Sequence, residues 1–172
     1  MSTAPAKPRA PVDPLERIRA DDINHYEWSV SLRINQLSVV MDRQITRLLA
    51  LHAGLTFSEW RLLAVLTRLG SSTFGFAVAV SFLDKALASR SIASLAGRKL
   101  VRKWPTPGDR RSVTVEITAR GRDVMDKFAP IWRARQVKLL ESLSQAERLL
   151  FYTIIDTLAD RLESESFDTP AP

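Results

Sequence analysis

From Ile23 onward, apolar residues return at helical spacing: Ile23, Tyr26, Val30, Ile34, Leu37, Met41, Ile45 and Leu48. Positions three and four apart share one face of an α-helix, so the stripe predicts one helix of about 28 residues, ended by His52-Ala53-Gly54. A helix of that length exceeds what a small monomer can cover, and part of its stripe is expected to meet a partner chain. A second helix opens at Thr56-Phe57-Ser58-Glu59, where Thr56 or Ser58 can cap the free N–H groups and Glu59 faces the positive helix end. It passes through Trp60, Leu63 and Leu66 and stops near Leu69-Gly70, since glycine tolerates the left-handed backbone that closes a helix. Ser71-Ser72-Thr73 reads as a short link.

Residues 74–82, FGFAVAVSF, fit two periods. Their alternation and β-branched content suit a buried strand, while the helices on either side favour a short, buried, nearly all-apolar helix, which is the expectation adopted. Asp84 can cap a helix from Lys85 to about Lys99. Leu87, Ser91 or Ile92, and Leu95 form its apolar side, with Lys85, Ala86, Ala88, Ser89 and Arg90 towards its beginning and outer face. Leu100 to Trp104 is extended, Pro105 to Asp109 is a turn, and Ser112 to Ile117 alternates like a half-buried strand. Two strands around a basic turn make a β-hairpin. Thr118 is expected to cap a further helix carrying Val124, Phe128, Ile131 or Trp132, Val137 and Leu140, kinked or broken at Pro130. Ser144 and Glu147 have the spacing of a capping box for the last helix, which shows Leu150, Ile154, Leu158 and Leu162 on one side.

The predicted fold is mainly α (α+β): a winged helix-turn-helix with a two- or three-stranded wing, plus long N- and C-terminal helices forming a dimerisation region. The expected organisation is a flexible arm over 1–20, a dimerisation helix over 21–54, a DNA-binding lobe over 55–118, dimerisation helices over 119–163 and a flexible tail over 164–172. The first residues, MSTAPAKPRAPVDP, lack an apolar core, so no signal peptide is expected. The apolar run from Phe74 to Leu83 falls far short of the roughly 20 residues of a membrane span. A cytoplasmic protein without a membrane partner is the resulting expectation.

Charge changes the picture once it is located. Between Lys85 and Arg111 stand eight Lys or Arg (Lys85, Arg90, Arg98, Lys99, Arg102, Lys103, Arg110, Arg111) against one acid, Asp109. This segment carries +7 in a chain whose net charge is +6, so the excess is local. Clustered cations suit a polyanion, because neutralising phosphates releases condensed counterions. A helix followed by a basic hairpin is suited to duplex DNA: the helix fits a major groove roughly 12 Å wide, and Arg at the hairpin tip can enter the minor groove. The competing reading is a winged helix that binds protein, and the local +7 weighs against it.

Catalysis is not expected. The chain has no G-x-S-x-G, no phosphate-cradling glycine loop and no H-E-x-x-H. The absence of cysteine removes thiolate metal sites and thiol redox sensing, and two histidines offer few ligands, so neither metal nor cofactor is expected.

Several strings resemble the MarR family of transcriptional regulators: Leu55-Thr56 with Trp60, Leu63 and Leu66; Leu83-Asp84-Lys85 with Ser89-Arg90; Leu100-Val101-Arg102; and Asp109-Arg110-Arg111-Ser112 followed by Val115, Ile117, Thr118 and Gly121. The resemblance spans roughly residues 25–163, and the wing string in this helical order is its most specific part. It implies a homodimeric regulator, more commonly a repressor, on a near-palindromic duplex. It makes Ser89 and Arg90 candidate base or phosphate contacts, Arg111 the wing arginine, and Asp109 the acid that braces it. Lys85, Ala86, Ala88, Arg102, Lys103 and Arg110 complete the candidate DNA-binding set. The chain departs from the family pattern at apolar FGFAVAVSF, and at Lys99, where the family favours glycine before Leu-Val. The resemblance also implies a small aromatic or phenolic ligand between the dimerisation helices and the lobe. His25, Tyr26, Trp28, Arg33, His52 and Trp60, with Trp132, could supply its walls and polar handles. Trp60 and Trp132 suit the core or an interface better than a ligand pocket.

Overall fold

The computed structural model describes residues 13–19 and 28–164. A short helix α1 (Pro14–Arg19) begins behind Asp13, whose carboxylate accepts the Leu15 N–H at 3.0 Å. Six residues of the expected arm are thus helical, and the rest of the arm lies outside the described residues. Helix α2 (Val30–His52) is capped by Ser29 and starts seven residues later than its apolar stripe suggested; Ile23 and Tyr26 lie outside the described residues.

Helix α3 (Phe57–Leu69) has the capping box that its sequence permits, with Thr56 and not Ser58 as the cap. Its C-terminus closes on Gly70, at φ 75°, whose N–H reaches Leu66 O at 2.8 Å. Beyond it, Ser71–Thr73 is not a link but strand β1, an edge of the sheet. Helix α4 (Phe74–Ser81) confirms the helical reading of the apolar run. It is not fully buried, however: Ala77 and Ser81 are buried and Phe74 and Val78 pack partly against the core, while Phe76 is 54% exposed and Phe82, in left-handed backbone after the helix, 85%. Eight residues that are apolar all round can bury only the side that meets α3 and the sheet.

Helix α5 (Lys85–Gly97) is followed by Lys99 at φ 60°. Lysine here adopts the backbone that glycine would supply, so the chain turns into the wing on schedule. Strand β2 (Val101–Thr106) and strand β3 (Asp109–Ile117) meet across a two-residue Pro107-Gly108 turn, with Gly108 at φ 80°. The second strand therefore begins three residues before the expected Ser112. The sheet runs β1-β3-β2, antiparallel throughout, with Ser72 and Lys103 flanking Val115 and Val101 opposite Ile117.

Thr118 caps helix α6 (Ala119–Leu140); of the kink or break expected at Pro130 it shows no break, running through as one helix. Helix α7 (Gln145–Ser164) starts from the reciprocal Ser144–Glu147 box. Its stripe is not packed within the chain: α7 has no buried residue.

One core joins these elements. Leu62, Leu63 and Leu66 of α3 pack with Ile92 and Leu95 of α5 and with Val115 and Ile117 of β3. Ile45 and Leu49 of α2 and Phe128 of α6 belong to the same cluster, which anchors both outer helices in the lobe. The tightest joint is at Gly121, where a Cβ would stand 2.2 Å from Leu100 O and 2.8 Å from Ile117 Cγ1. Only a residue without a side chain lets α6 rest on the entry to the wing. Gly121→Ala is therefore expected to destabilise the protein by about 2 kcal/mol, a typical overpacking cost, measured by urea unfolding.

Candidate nucleic-acid interface

Asp84 sets the start of α5 by accepting the Leu87 N–H at 2.8 Å. The helical period then places Ala88, Ser91, Ile92 and Leu95 on the buried face and Lys85, Ala86, Ser89 and Arg90 on the exposed one. Ala88 is fully buried, 0% exposed, and is withdrawn from the DNA-binding set. Its methyl packs in the core on the same face as Ile92 and Leu95.

Across from this exposed face stands the wing. Between them lies a groove of about 570 Å³ bordered by Lys85 and Ser89 of α5, Lys103 of β2, and Arg111 and Ser112 of β3. Its apolar floor includes Phe74, Ile92, Val113 and Val115. Strand alternation explains the selection: Lys103 sits opposite Val115, on the groove side, whereas Arg102 sits opposite Glu116, on the other side. Ser112, which the candidate set did not include, also borders the groove, between Arg111 and Val113 on β3.

Arg102 is engaged elsewhere. Its Nε donates to Glu116 Oε2, and its guanidinium lies 5.4 Å from the Trp104 ring centre. The hydrogen bond from Arg102 holds the Glu116 carboxyl below the usual carboxylate range; burial opposes this, and the charges of Arg102 and Arg122 reinforce it. Asp109 braces Arg111 through the backbone. Its carboxylate accepts the backbone N–H of Arg111 at 2.9 Å, fixing the strand and leaving the side chain exposed. Arg110 lies in β3, and its side chain lies outside the described residues.

The ligand-site candidates separate. His25 and Tyr26 lie outside the described residues, and His52 is exposed at the end of α2. Trp28 pairs with Arg33, whose guanidinium lies 5.7 Å from its ring centre. Trp60, by contrast, meets Trp132 of α6 at 4.7 Å between ring centres and stacks on Phe57 at 5.7 Å. Over Trp132, at 5.5 Å, lies Arg135, a residue missed in the sequence. Its Nη2 reaches Met41 O and Gln44 Oε1, both at 3.4 Å, while Nε and Nη1 are buried without a hydrogen-bond partner among the described residues. Its position three residues after Trp132, on the same helical face, was the available clue. Among the described residues no His, Asp or Glu group could hold a metal ion, and no helix is long and apolar enough to cross a membrane.

Comparison with known proteins decides the family. The MarR family model matches residues 53–112. The HTH-type transcriptional repressor NicR of Pseudomonas putida is 31% identical over 112 residues, covering 64% of this chain and 70% of that one. The chain belongs to the MarR family. Its fold is shared with a MarR/EmrR family transcriptional regulator from an Acinetobacter species, at a TM-score of 0.72 and 20% identity over 84% of this chain and 99% of that one. The structure of NadR in complex with 4-hydroxyphenylacetate also matches, with a TM-score of 0.65 and 21% identity over 76% of this chain and 92% of that one. The protein is thus a MarR family transcriptional regulator with a three-stranded wing.

The Arg102–Glu116 pair has a measurable sign. Because the folded-state pKa of Glu116 is depressed, its contribution to stability is present above the ordinary carboxylate range and is lost as pH falls through the lowered value. In Arg102→Ala, an NMR titration is expected to move the Glu116 midpoint upward, towards the ordinary carboxylate value.

Proposed function

We propose that this MarR family regulator represses transcription by binding a near-palindromic duplex as a homodimer. In this reading Lys85, Ala86, Ser89 and Arg90 of α5 face the major groove, and Arg111 enters the adjacent minor groove. Lys103, with Arg110 beside Arg111 in the wing string, contacts the phosphates. The observation that carries it is the groove that brings Lys85, Ser89, Lys103 and Arg111 onto one exposed face. Arg102 contributes long-range charge, since its guanidinium is held by Glu116. Repression is inferred from the likeness to NicR, a transcriptional repressor.

Pairing of two chains accounts for the exposed apolar faces at both ends of the molecule. Val30, Ile34 and Leu37 of α2 and Leu149, Leu150, Ile154 and Ile155 of α7 are all exposed in the single chain. A two-fold dimer covering them would set two copies of α5 roughly one DNA turn, about 34 Å, apart.

Trp60, Trp132 and Arg135 form the proposed ligand site, with aromatic walls and a guanidinium whose Nε and Nη1 have no hydrogen-bond partner among the described residues, suited to an aromatic carboxylate. NadR with its bound 4-hydroxyphenylacetate supports that ligand class. A ligand favouring one separation of the two lobes shifts DNA affinity by its differential contacts in the two states.

Selection of bound duplexes from a random pool is expected to recover a two-fold symmetric site. Arg111→Ala should weaken binding to that site by roughly 1–3 kcal/mol and flatten the salt dependence by about one ion. A pool with no enriched sequence would leave the protein-binding reading of the winged helix. For the ligand site, 4-hydroxyphenylacetate is expected to shift the affinity of the parent for the recovered duplex. Arg135→Met should lose that response while keeping the ligand-free affinity within about twofold, read by fluorescence anisotropy.

A further inference from the structure

One position before Trp60 on α3 stands Glu59, which is 4% exposed. A buried carboxylate is costly unless its oxygens are filled, and here they are filled from two helices. Oε2 accepts the Thr56 N–H at 2.8 Å, which closes the capping box of α3. Oε1 accepts the hydroxyl of Ser94 on α5 at 2.6 Å, and Oε2 also faces Nη1 of Arg98, just past the end of α5, at 3.5 Å. The Arg98 guanidinium reaches further: its Nη2 lies 3.8 Å from where a Cβ of Gly54 would stand, in the turn between α2 and α3. A parallel contact joins the same two helices, with the buried Ser91 hydroxyl donating to Ser58 Oγ at 3.0 Å.

A capping box needs only the first of these bonds. The others tie the first turn of α3 to positions 91, 94 and 98, which lie on successive turns along one side of α5. The rest of the α3–α5 contact is apolar, made by Leu62, Leu63 and Leu66 against Ala88, Ile92 and Leu95. Apolar packing is non-directional and tolerates small rotations and slides. Hydrogen bonds to a buried carboxylate do not.

We propose that Glu59 is a positioning residue for DNA reading: it fixes the rotation and axial register of α5, and so where Lys85, Ser89 and Arg90 stand. This rests on the reading of α5 as the base-contacting helix. Phosphate contacts accept loose geometry, whereas base-edge contacts require close placement. Loss of the Glu59 bracket therefore lowers discrimination between sequences and spares non-specific affinity.

The test measures, at one salt concentration, affinities for the recovered duplex and for a scrambled duplex of equal length. Glu59→Gln is expected to reduce their ratio about tenfold while scrambled-duplex affinity stays within about twofold. Ser94→Ala, which leaves the α3 cap untouched, should reduce the ratio by about threefold, and it carries the test if Glu59→Gln fails to fold. Thr56→Ala is the structural control: it removes the cap hydroxyl, lowers the melting temperature and leaves the ratio unchanged. A ratio preserved in Ser94→Ala and in folded Glu59→Gln would overturn the proposal. So would equal losses on both duplexes. A parent protein that binds both duplexes equally would instead overturn the reading of α5 itself, and this inference with it.

Discussion

Burial of three adjacent leucines on one helix is the constraint on which the lobe depends. Leu62, Leu63 and Leu66 of α3 have no exposed surface, and together they meet α5, the sheet and both outer helices. Each of those elements is apolar on one side, and none could bury that side alone. The helix also sets the sheet, since Gly70 at its end accepts the Ile117 N–H at 3.1 Å and directs β1 along β3. Helix α5 and the wing are thus both referenced to α3, which is why the groove between them has a defined shape.

Much of this was legible because caps are local. Thr56, Asp84, Thr118 and Ser144 each accept an N–H two or three residues on, and such bonds depend on nothing distant. The wing was legible for the same reason, its Pro-Gly turn and alternating strand being contained in a dozen residues. What failed was what depends on a distant partner. β1 has only three residues, too few to show a period, and the strand that makes it one lies some forty positions away. Ala88 declares no side, since alanine suits either face of a helix; only the packing of Ile92 and Leu95 assigns it inward. Arg102 and Lys103 look alike in sequence, and Glu116 across the strand separates their roles.

The two departures from the family pattern have different outcomes. Lys99 takes the left-handed backbone itself, so the turn into the wing is kept at some conformational cost. The apolar run of α4 keeps its helix but not its burial, leaving Phe76 and Phe82 at the surface. Arg135 was hidden for another reason. It stands in a stretch rich in charged residues, where one more arginine reads as a solvated face until its neighbours Trp132, Met41 and Gln44 are known.

Helix α7 has no buried side chain in the single chain, although Arg148 ties its start to Leu140 O and Leu143 O. In the pairing proposed above, its cover comes from a second molecule, so folding of this region becomes bimolecular. Occupancy of the operator at low abundance then rises with the square of protein number rather than in proportion to it. Newly made, unpaired chains display a frayable helix to proteases, while paired ones hide it. In that pairing α7 makes occupancy depend on copy number more steeply than it would for a protein that binds as a single chain.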